Sequence, residues 1–593
     1  MPRSLIVVAA LTACSPEAPP HTPAPPVAQI ERVDRIIHGL RPPAEVAGEP
    51  VRWSLAERMK HYNVHGVTIA VWDHYQLQWA RGFGEADAEA HAPVTDATLF
   101  QSGSISKSVN ALAVMLAVAN AALALDTPIN GQLESWHLPD NDFTHATPVT
   151  LRMLLSHTAG TTVHGFGGYA AGEPVPTVQQ VLAGMPPANS DPIVVDHAPG
   201  KAFLYSGGGI TIAQLALVEK LHAPYPQILQ ASVLGPIGMT KSTYEQPLPA
   251  ARVPEAAAGY HADGSPIAGK RHTYPEMAAA GLWTTPSDLA RFFIELQLGL
   301  VGRSQVVTQA IAREMTTPVL ASDGNGLGVF VMDQNGARMF GHDGADAGFQ
   351  ANAIASMDGG YGMIVMANSD DSFGVFRELA NAVFAEYGWA GHGPVVARAS
   401  VSADQLAAIA GVYGTPAMAT VLAVDGGRLY EHHPFGDRYE VVPTREGKLV
   451  DLRDGTVLAG DGKTFGPAPR IGDHASPLAE LEHGGLEAAL AAFHALPGDA
   501  ISPDDLNFFA YGALRTNPRG AVAMFELEAA AFPDSMNAHE SLAEGYEAVG
   551  ETAKAIAAYK AALATEPADA KAPAKFKQQL HATCVAALQR LGA

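Results

Sequence analysis

From Val109 to Leu123 the chain is almost wholly Ala, Val, Leu and Met, with Asn110 and Asn120 the only strongly polar residues. A helix that is apolar on every face must be covered on all sides, so the fold has to be built around this segment. Immediately before it stands Phe100-Gln101-Ser102-Gly103-Ser104-Ile105-Ser106-Lys107-Ser108. Residues i and i+3 share one helix face, so the Lys107 amine can reach the Ser104 hydroxyl. A serine is a weak nucleophile until a neighbour takes its proton, and a lysine can take it only where burial disfavours the ammonium form. The apolar run supplies that burial. The helix start also turns unpaired N–H groups and a positive dipole end toward Ser104, which favours an oxyanion formed on attack.

Two later blocks follow in order. The first is Pro199-Gly200-Lys201-Ala202-Phe203-Leu204-Tyr205-Ser206-Gly207-Gly208-Gly209, running into the apolar stretch from Ile210 to Val218. The second is Gly341-His342-Asp343-Gly344-Ala345-Asp346-Ala347-Gly348-Phe349. With Ser-x-x-Lys, these blocks resemble the serine β-lactamase and penicillin-binding-protein superfamily, in its class C-like branch of esterases, D-amino-acid peptidases and β-lactamases. The stretches 151–160 and 281–290 fit the same resemblance, which spans roughly residues 45–395.

The resemblance implies a β-lactamase/transpeptidase-like α/β (α+β) catalytic domain and a role for each matching residue. Ser104 is the expected nucleophile, Lys107 its activating partner and Tyr205 the general base that later protonates the leaving group. His342 stands where the family has the lysine of Lys-Thr-Gly. The N–H groups of Ser104 and Ala345 are the expected oxyanion hole, with Gly344 keeping the strand open to substrate. A lysine beside a tyrosine stabilises the phenolate, which agrees with that assignment.

One position departs from the pattern. The family usually carries Tyr-x-Asn in the second block, and here the third position is Gly207. The resemblance implies that this asparagine amide holds the acylamide group of β-lactams and peptides. Its absence disfavours a β-lactamase and predicts that Gly207→Asn raises activity on acylamido β-lactams. The expected function is therefore a serine hydrolase forming an acyl-enzyme on esters or amides, D-amino-acid peptides among them. The alternatives are a class C-like β-lactamase and a penicillin-binding or scaffold protein that acylates without turnover.

Other classes are excluded on stated grounds. No Gly-x-Ser-x-Gly elbow occurs, so an α/β-hydrolase reading fails. His157, His164 and His197 fit no zinc spacing, no His-Glu-x-x-His occurs, and no cofactor is expected. The formal net charge of −23 is the wrong sign for a nucleic-acid partner.

The remaining chain divides by composition. Met1 to Ala13 reads as a short lipoprotein signal, with Arg3 ahead of the apolar run from Leu5 to Leu11 and cleavage before a lipidated Cys14. Residues 14–29 include six prolines between Ser15 and Pro26, a semi-rigid tether. This implies a periplasm-facing lipoprotein of the bacterial outer membrane, held by its lipid. Residues 30–395 form the expected catalytic domain, with a helix from about Ile30 to His61. Strands are expected at 67–72, 77–80, 326–331, 353–357 and 361–368, followed by a helix over 371–387. The Gly165-Phe166-Gly167-Gly168 run has two readings, a ligand contact and a mobile loop, of which the loop is the expected one.

Residues 400–472 read as a small antiparallel β domain. In 476–593, Ala521, Phe525 and Pro533 recur 34 residues later as Ala555, Tyr559 and Pro567. That period resembles tetratricopeptide repeats, which would dock on the β domain or on a protein partner. Cys584 is expected to be buried.

Overall fold

The structure is a computed structural model. It describes residues 27–320, 324–435, 438–459, 463–466, 468–472, 475–498, 500–514 and 517–593. The signal and Cys14 lie outside these residues, as does the tether apart from its last three positions.

Helices α1 (Val27–Ile37) and α2 (Leu55–His61) replace the single helix expected over 30–61. Between them Arg41-Pro42-Pro43 ends any helix, because proline lacks an N–H and restricts the residue before it. The intervening Glu45–Val46 pairs in parallel with Val395–Val396.

A seven-stranded antiparallel sheet follows, built from β1 (Gly66–Asp73), β2 (Gln76–Asp87), β3 (Ala92–Pro93), β4 (Phe330–Gln334), β5 (Ala337–Asp346), β6 (Phe349–Ser356) and β7 (Gly362–Ala367). Its order is β3-β2-β1-β7-β6-β5-β4. Every residue of β7 is buried, as expected for a strand covered on both faces. One face packs α3 (Ser106–Ala119), α4 (Gly207–Leu221), the single turn α5 (Met277–Ala280) and α6 (Pro286–Leu300) around the larger core. The other face meets α1, α2 and α7 (Phe373–Tyr387) through Val33, Ile36, Met59, Val67, Met363 and Phe376.

The expected strand at 326–331 begins only at Phe330. Before it, Gly328 (φ +70°) turns against α3, where a Cβ would fall 2.5 Å from that of Ala111. Ser108 fixes the turn by donating to the Gly328 carbonyl at 2.5 Å.

Beyond the catalytic unit, eight short antiparallel strands between Gly411 and Ile471 form the second sheet. Six helices follow among the described residues: α8 (Pro477–Ala495), α9 (Pro503–Leu514), α10 (Pro518–Ala531), α11 (Met536–Ala548), α12 (Thr552–Thr565) and α13 (Ala574–Arg590). From α9 onward consecutive helices pack on one another, α9 with α10 and α11 with α12 most extensively, while α8 packs on α10. Positions 34 residues apart occupy matching places, since Ala521 and Phe525 of α10 and Ala555 and Tyr559 of α12 are all buried. Cys584 is a buried free thiol. The helices rest on the second sheet through Phe435, which packs into the helical core, and through the ion pair His432–Glu482 at 3.0 Å.

Candidate active site

Ser104 sits in a single 3-10 turn, Gly103–Ile105, that leads straight into α3. The expected i,i+3 contact is present: Lys107 Nζ donates to Ser104 Oγ at 2.8 Å and to the Ala279 carbonyl at 2.7 Å. Ala279 belongs to α5, so a short turn remote in sequence aims the lysine. Lys107 is buried, whereas Ser104 is partly exposed at the cleft.

The start of α3 is fastened by hydrogen bonds that leave it little freedom. Ser102 N–H donates to the Leu282 carbonyl at 3.0 Å, Leu282 N–H to Ser106 Oγ at 3.0 Å, and Tyr244 Oη to the Ser106 carbonyl at 2.8 Å.

Strand β5 closes the site from the other side. Its pairing with β4 ends at Gly341, so 342–346 face the Ser104 turn along an unpaired edge. Backbone meets backbone there. A Cβ on Gly344 would fall 1.9 Å from the Ser102 carbonyl oxygen and 3.3 Å from Ser104 N, and one on Gly103 (φ +51°) 2.5 Å from Ala345 N. Only glycine allows this approach. It places the Ser104 and Ala345 amides on adjoining segments, the arrangement an oxyanion hole requires.

Tyr205 lies two residues before α4, whose N-cap Ser206 accepts from Gly209 N–H. Lys107 Nζ is 5.1 Å from the centre of the Tyr205 ring. The ring stacks on His157 with centroids 4.2 Å apart, and His164 covers it at 4.8 Å. His157 is buried, and its Nδ1 accepts the Ser206 N–H at 3.1 Å. Burial first, then the Lys107 charge, hold it well below the usual histidine range, so it is neutral. It supports the tyrosine ring and anchors the block that carries it.

His342 closes the circle, 6.1 Å from Tyr205 and 5.0 Å from Phe330 between ring centres. Its Nδ1 stands 2.5 Å from the Asp343 carbonyl oxygen. A carbonyl only accepts, so Nδ1 carries the proton and Nε2 is left as a buried acceptor without a partner. Burial, then the Lys107 charge, push His342 down to about 3. The group in the lysine position of the third block is thus an uncharged imidazole.

The structure brings Ser104, Lys107, Tyr205, His342, Gly344 and Ala345 together and places Gly207 at the edge of the group. It also adds surroundings that the sequence did not show: an aromatic wall of Phe203 and Phe330 beside Tyr205, and two buried acids, Glu276 and Asp346. Glu276, at the start of α5, is fully buried with both carboxyl oxygens unpartnered, and burial pushes it up to about 7. Asp346, one residue after Ala345, is raised well above the carboxylate range by burial, against the pull of Lys107. No motif marks Glu276, which only the fold brings to the site, whereas Asp346 lies in the third block and its burial is what the fold adds. Among the described residues no group of His, Cys, Asp and Glu is arranged to hold a metal.

Two expectations are corrected here. The Gly165–Gly168 run is pinned in place: the Gly167 carbonyl accepts from His272 Nδ1 at 2.8 Å, and the Gly168 carbonyl from Asn189 Nδ2 at 2.9 Å. The space beside Gly207 is filled, because a Cβ there would already stand 3.0 Å from Phe166 Cε2 and 3.2 Å from the His164 carbonyl oxygen. An asparagine does not fit beside these groups as they stand.

The chain is similar to several known proteins. Protein Rv1367c of Mycobacterium tuberculosis is 29% identical over 282 residues, covering 44% of this chain and 69% of its own length. A Beta-lactamase of Pseudomonas fluorescens is 26% identical over 260 residues, 44% of this chain and 66% of that protein. Esterase EstB of Burkholderia gladioli is 34% identical over a shorter stretch of 104 residues, 18% of this chain and 26% of its own. Among solved structures, the octameric penicillin-binding protein homologue from Pyrococcus abyssi aligns at TM-score 0.49 and 21% identity, over 68% of this chain and 93% of its own. The family model described as Beta-lactamase matches residues 53–386, more than half of the chain, which therefore belongs to the β-lactamase family.

Proposed function

We propose that the chain is a serine hydrolase that forms an acyl-enzyme on Ser104 with ester or amide substrates. The observation that carries this reading is the 2.8 Å contact between Lys107 Nζ and Ser104 Oγ at the edge of a site lined by backbone amides. In this scheme Tyr205, its phenolate favoured by Lys107 beside it, takes the Ser104 proton as Oγ bonds to the scissile carbonyl carbon. The Ser104 and Ala345 N–H groups receive the oxyanion, and Tyr205 returns the proton to the leaving group as the carbonyl reforms. Water then repeats the sequence and releases the acid.

The neutral His342 supports a leaving group without a carboxylate. A cation in that place would hold a carboxylate by a charge-assisted hydrogen bond, and an imidazole with a bare acceptor nitrogen offers neither charge nor donor. Uncharged esters and D-amino-acid amides fit this better than peptides ending in a free carboxylate or β-lactams. Lipidation of Cys14 and display on the periplasmic side of the outer membrane belong to the same proposal and rest on the sequence of the first 26 residues alone.

Intact-protein mass spectrometry with a fluorophosphonate probe, beside turnover of p-nitrophenyl butyrate and nitrocefin, tests the reading. The expected result is one adduct that vanishes in Ser104→Ala, with steady release from the ester and little from nitrocefin. An adduct that persists in Ser104→Ala would move the nucleophile elsewhere.

A further inference from the structure

The chain carries three glycines, Gly207, Gly208 and Gly209, where it enters α4, and another segment is laid directly on them. Gly207 N–H donates to the His164 carbonyl at 2.9 Å, Gly208 N–H to the Val163 carbonyl at 3.0 Å, and Ser206 Oγ to the Thr162 carbonyl at 2.7 Å. A Cβ on Gly208 would fall 2.7 Å from the Thr162 carbonyl oxygen, and one on Gly207 would press on the Phe166 ring. The glycines are the space this segment occupies. Its side chains then line the site: the exposed His164 lies against the Tyr205 ring at 4.8 Å between ring centres, and the partly buried Phe166 covers position 207.

The chemistry of this wall is narrow. The first three N–H groups of α4 are spent, since Gly209 donates to Ser206 Oγ at 2.9 Å. Thr162 Oγ1 is also engaged, donating to the Pro192 carbonyl at 3.1 Å and accepting from Val194 N–H at 2.9 Å. At position 207 the segment therefore presents the Phe166 ring, with the His164 imidazole as its side chain still able to exchange a hydrogen bond. A polar acylamido group placed against Phe166 would lose its water without gaining a partner, which is costly. A plain hydrocarbon group loses nothing there.

We infer that segment 162–166 is the specificity wall of this site, with Phe166 selecting acyl groups that are plain aliphatic or aromatic chains and excluding those that carry an acylamido substituent. Phe166 and His164 stand in place of any side chain at position 207. The inference rests on the hydrolase reading above and names its acyl preference.

The experiment compares kcat/KM for p-nitrophenyl butyrate and for the p-nitrophenyl ester of N-acetylalanine in the full chain and its variants. Fluorophosphonate labelling of each reports separately that Ser104 still reacts. The wild-type chain should prefer butyrate by about tenfold or more. Phe166→Ala should shrink that ratio by about tenfold while labelling stays normal, and Phe166→Leu, closer in shape, should shift it less. Gly207→Asn alone should lower turnover of both esters, and Gly207→Asn with Phe166→Ala should recover it, the acylamido ester most. An unchanged ratio in Phe166→Ala with normal labelling would overturn the inference. So would Gly207→Asn alone gaining the acylamido ester at full butyrate activity, or His164→Phe selectively losing that ester, because the imidazole would then be the receptor. Failure of the wild-type chain to label at all would overturn the hydrolase reading itself and is seen independently of the ratio.

Discussion

Ser104, Lys107, Tyr205 and His342 come from three segments, and Lys107 and His342 are held by backbone carbonyls while Tyr205 is held by a ring beside it. Lys107 answers to the Ala279 carbonyl, Tyr205 to the His157 ring and His342 to the Asp343 carbonyl. Such preorganisation makes losses at the proton carrier large, and Tyr205→Phe is expected to cost on the order of 10²–10⁴-fold in kcat on p-nitrophenyl butyrate. Near-normal turnover would remove Tyr205 as the base.

Glu276 gives a second expectation at this scale. Burial raises it from 4.5 to about 7 in the fold, so the folded chain binds a proton that the unfolded chain releases. Its contribution to stability is fully present below about pH 4.5 and is lost as the pH rises to about 7, because deprotonation in the fold is resisted. Glu276→Gln removes that loss. The stability of the variant relative to wild type should therefore be about 2 kcal/mol more favourable at pH 8 than at pH 5, read from thermal unfolding at both. Equal differences at the two pH values would mean that Glu276 ionises in the fold without penalty.

The residues legible in the sequence were those with fixed spacing to an element. Ser104 and Lys107 share a helical turn, and Tyr205 precedes an apolar helix. Glu276 was silent, and the parts of His164 and Phe330 beside Tyr205 were unreadable, because those neighbours meet only through chain paths that no local pattern encodes.

At the scale of elements, the decisive contact is β5 against the Ser104 turn. Gly344 has no room for a Cβ beside the Ser102 carbonyl, so Gly344→Ala must push the strand from the turn and separate the two amides. Overpacking of this kind costs about 1–3 kcal/mol, and fluorophosphonate labelling of Ser104 should slow in parallel with a lower melting temperature. Unchanged labelling would show that the oxyanion is held elsewhere. Strands β1 and β7 and helix α7 were close to expectation because turn residues bound their apolar runs, whereas β6 starts at Phe349, four residues before the strand expected at 353–357. The merged helix over 30–61 also departed, since periodicity on both sides of Arg41-Pro42-Pro43 outweighed the prolines that break it. The 34-residue period was legible for a different reason: matching positions in successive hairpins must bury matching side chains.

Across the whole molecule, the catalytic unit and the second sheet meet at a charged seam. Arg398 pairs with Glu49 at 2.9 Å and with Glu440 at 2.7 Å, and Arg428 reaches the same two carboxylates. These side chains are partly exposed, so each pair contributes modestly and is screened by salt. Every residue of the proposed site lies between Ser104 and Asp346, on the other side of that seam. A fragment ending at residue 398 should therefore hydrolyse p-nitrophenyl butyrate with kcat/KM of the same order as the full chain. Loss of activity in a folded fragment would show that the second sheet supports the cleft. Among the described residues no helix is long and apolar enough to cross a membrane.

The sequence by itself determined the buried helix, the spacing of nucleophile and amine, the order of the three blocks and the repeat of the last helices. These follow from periodicities of one or a few turns, which side-chain burial imposes locally. Only the tertiary structure decided that His342 is a neutral acceptor, that Glu276 and Asp346 are buried acids, and that Phe166 fills the space beside Gly207. Those properties come from desolvation and close packing between segments far apart in the chain, and they exist only once the sheet has brought the segments together.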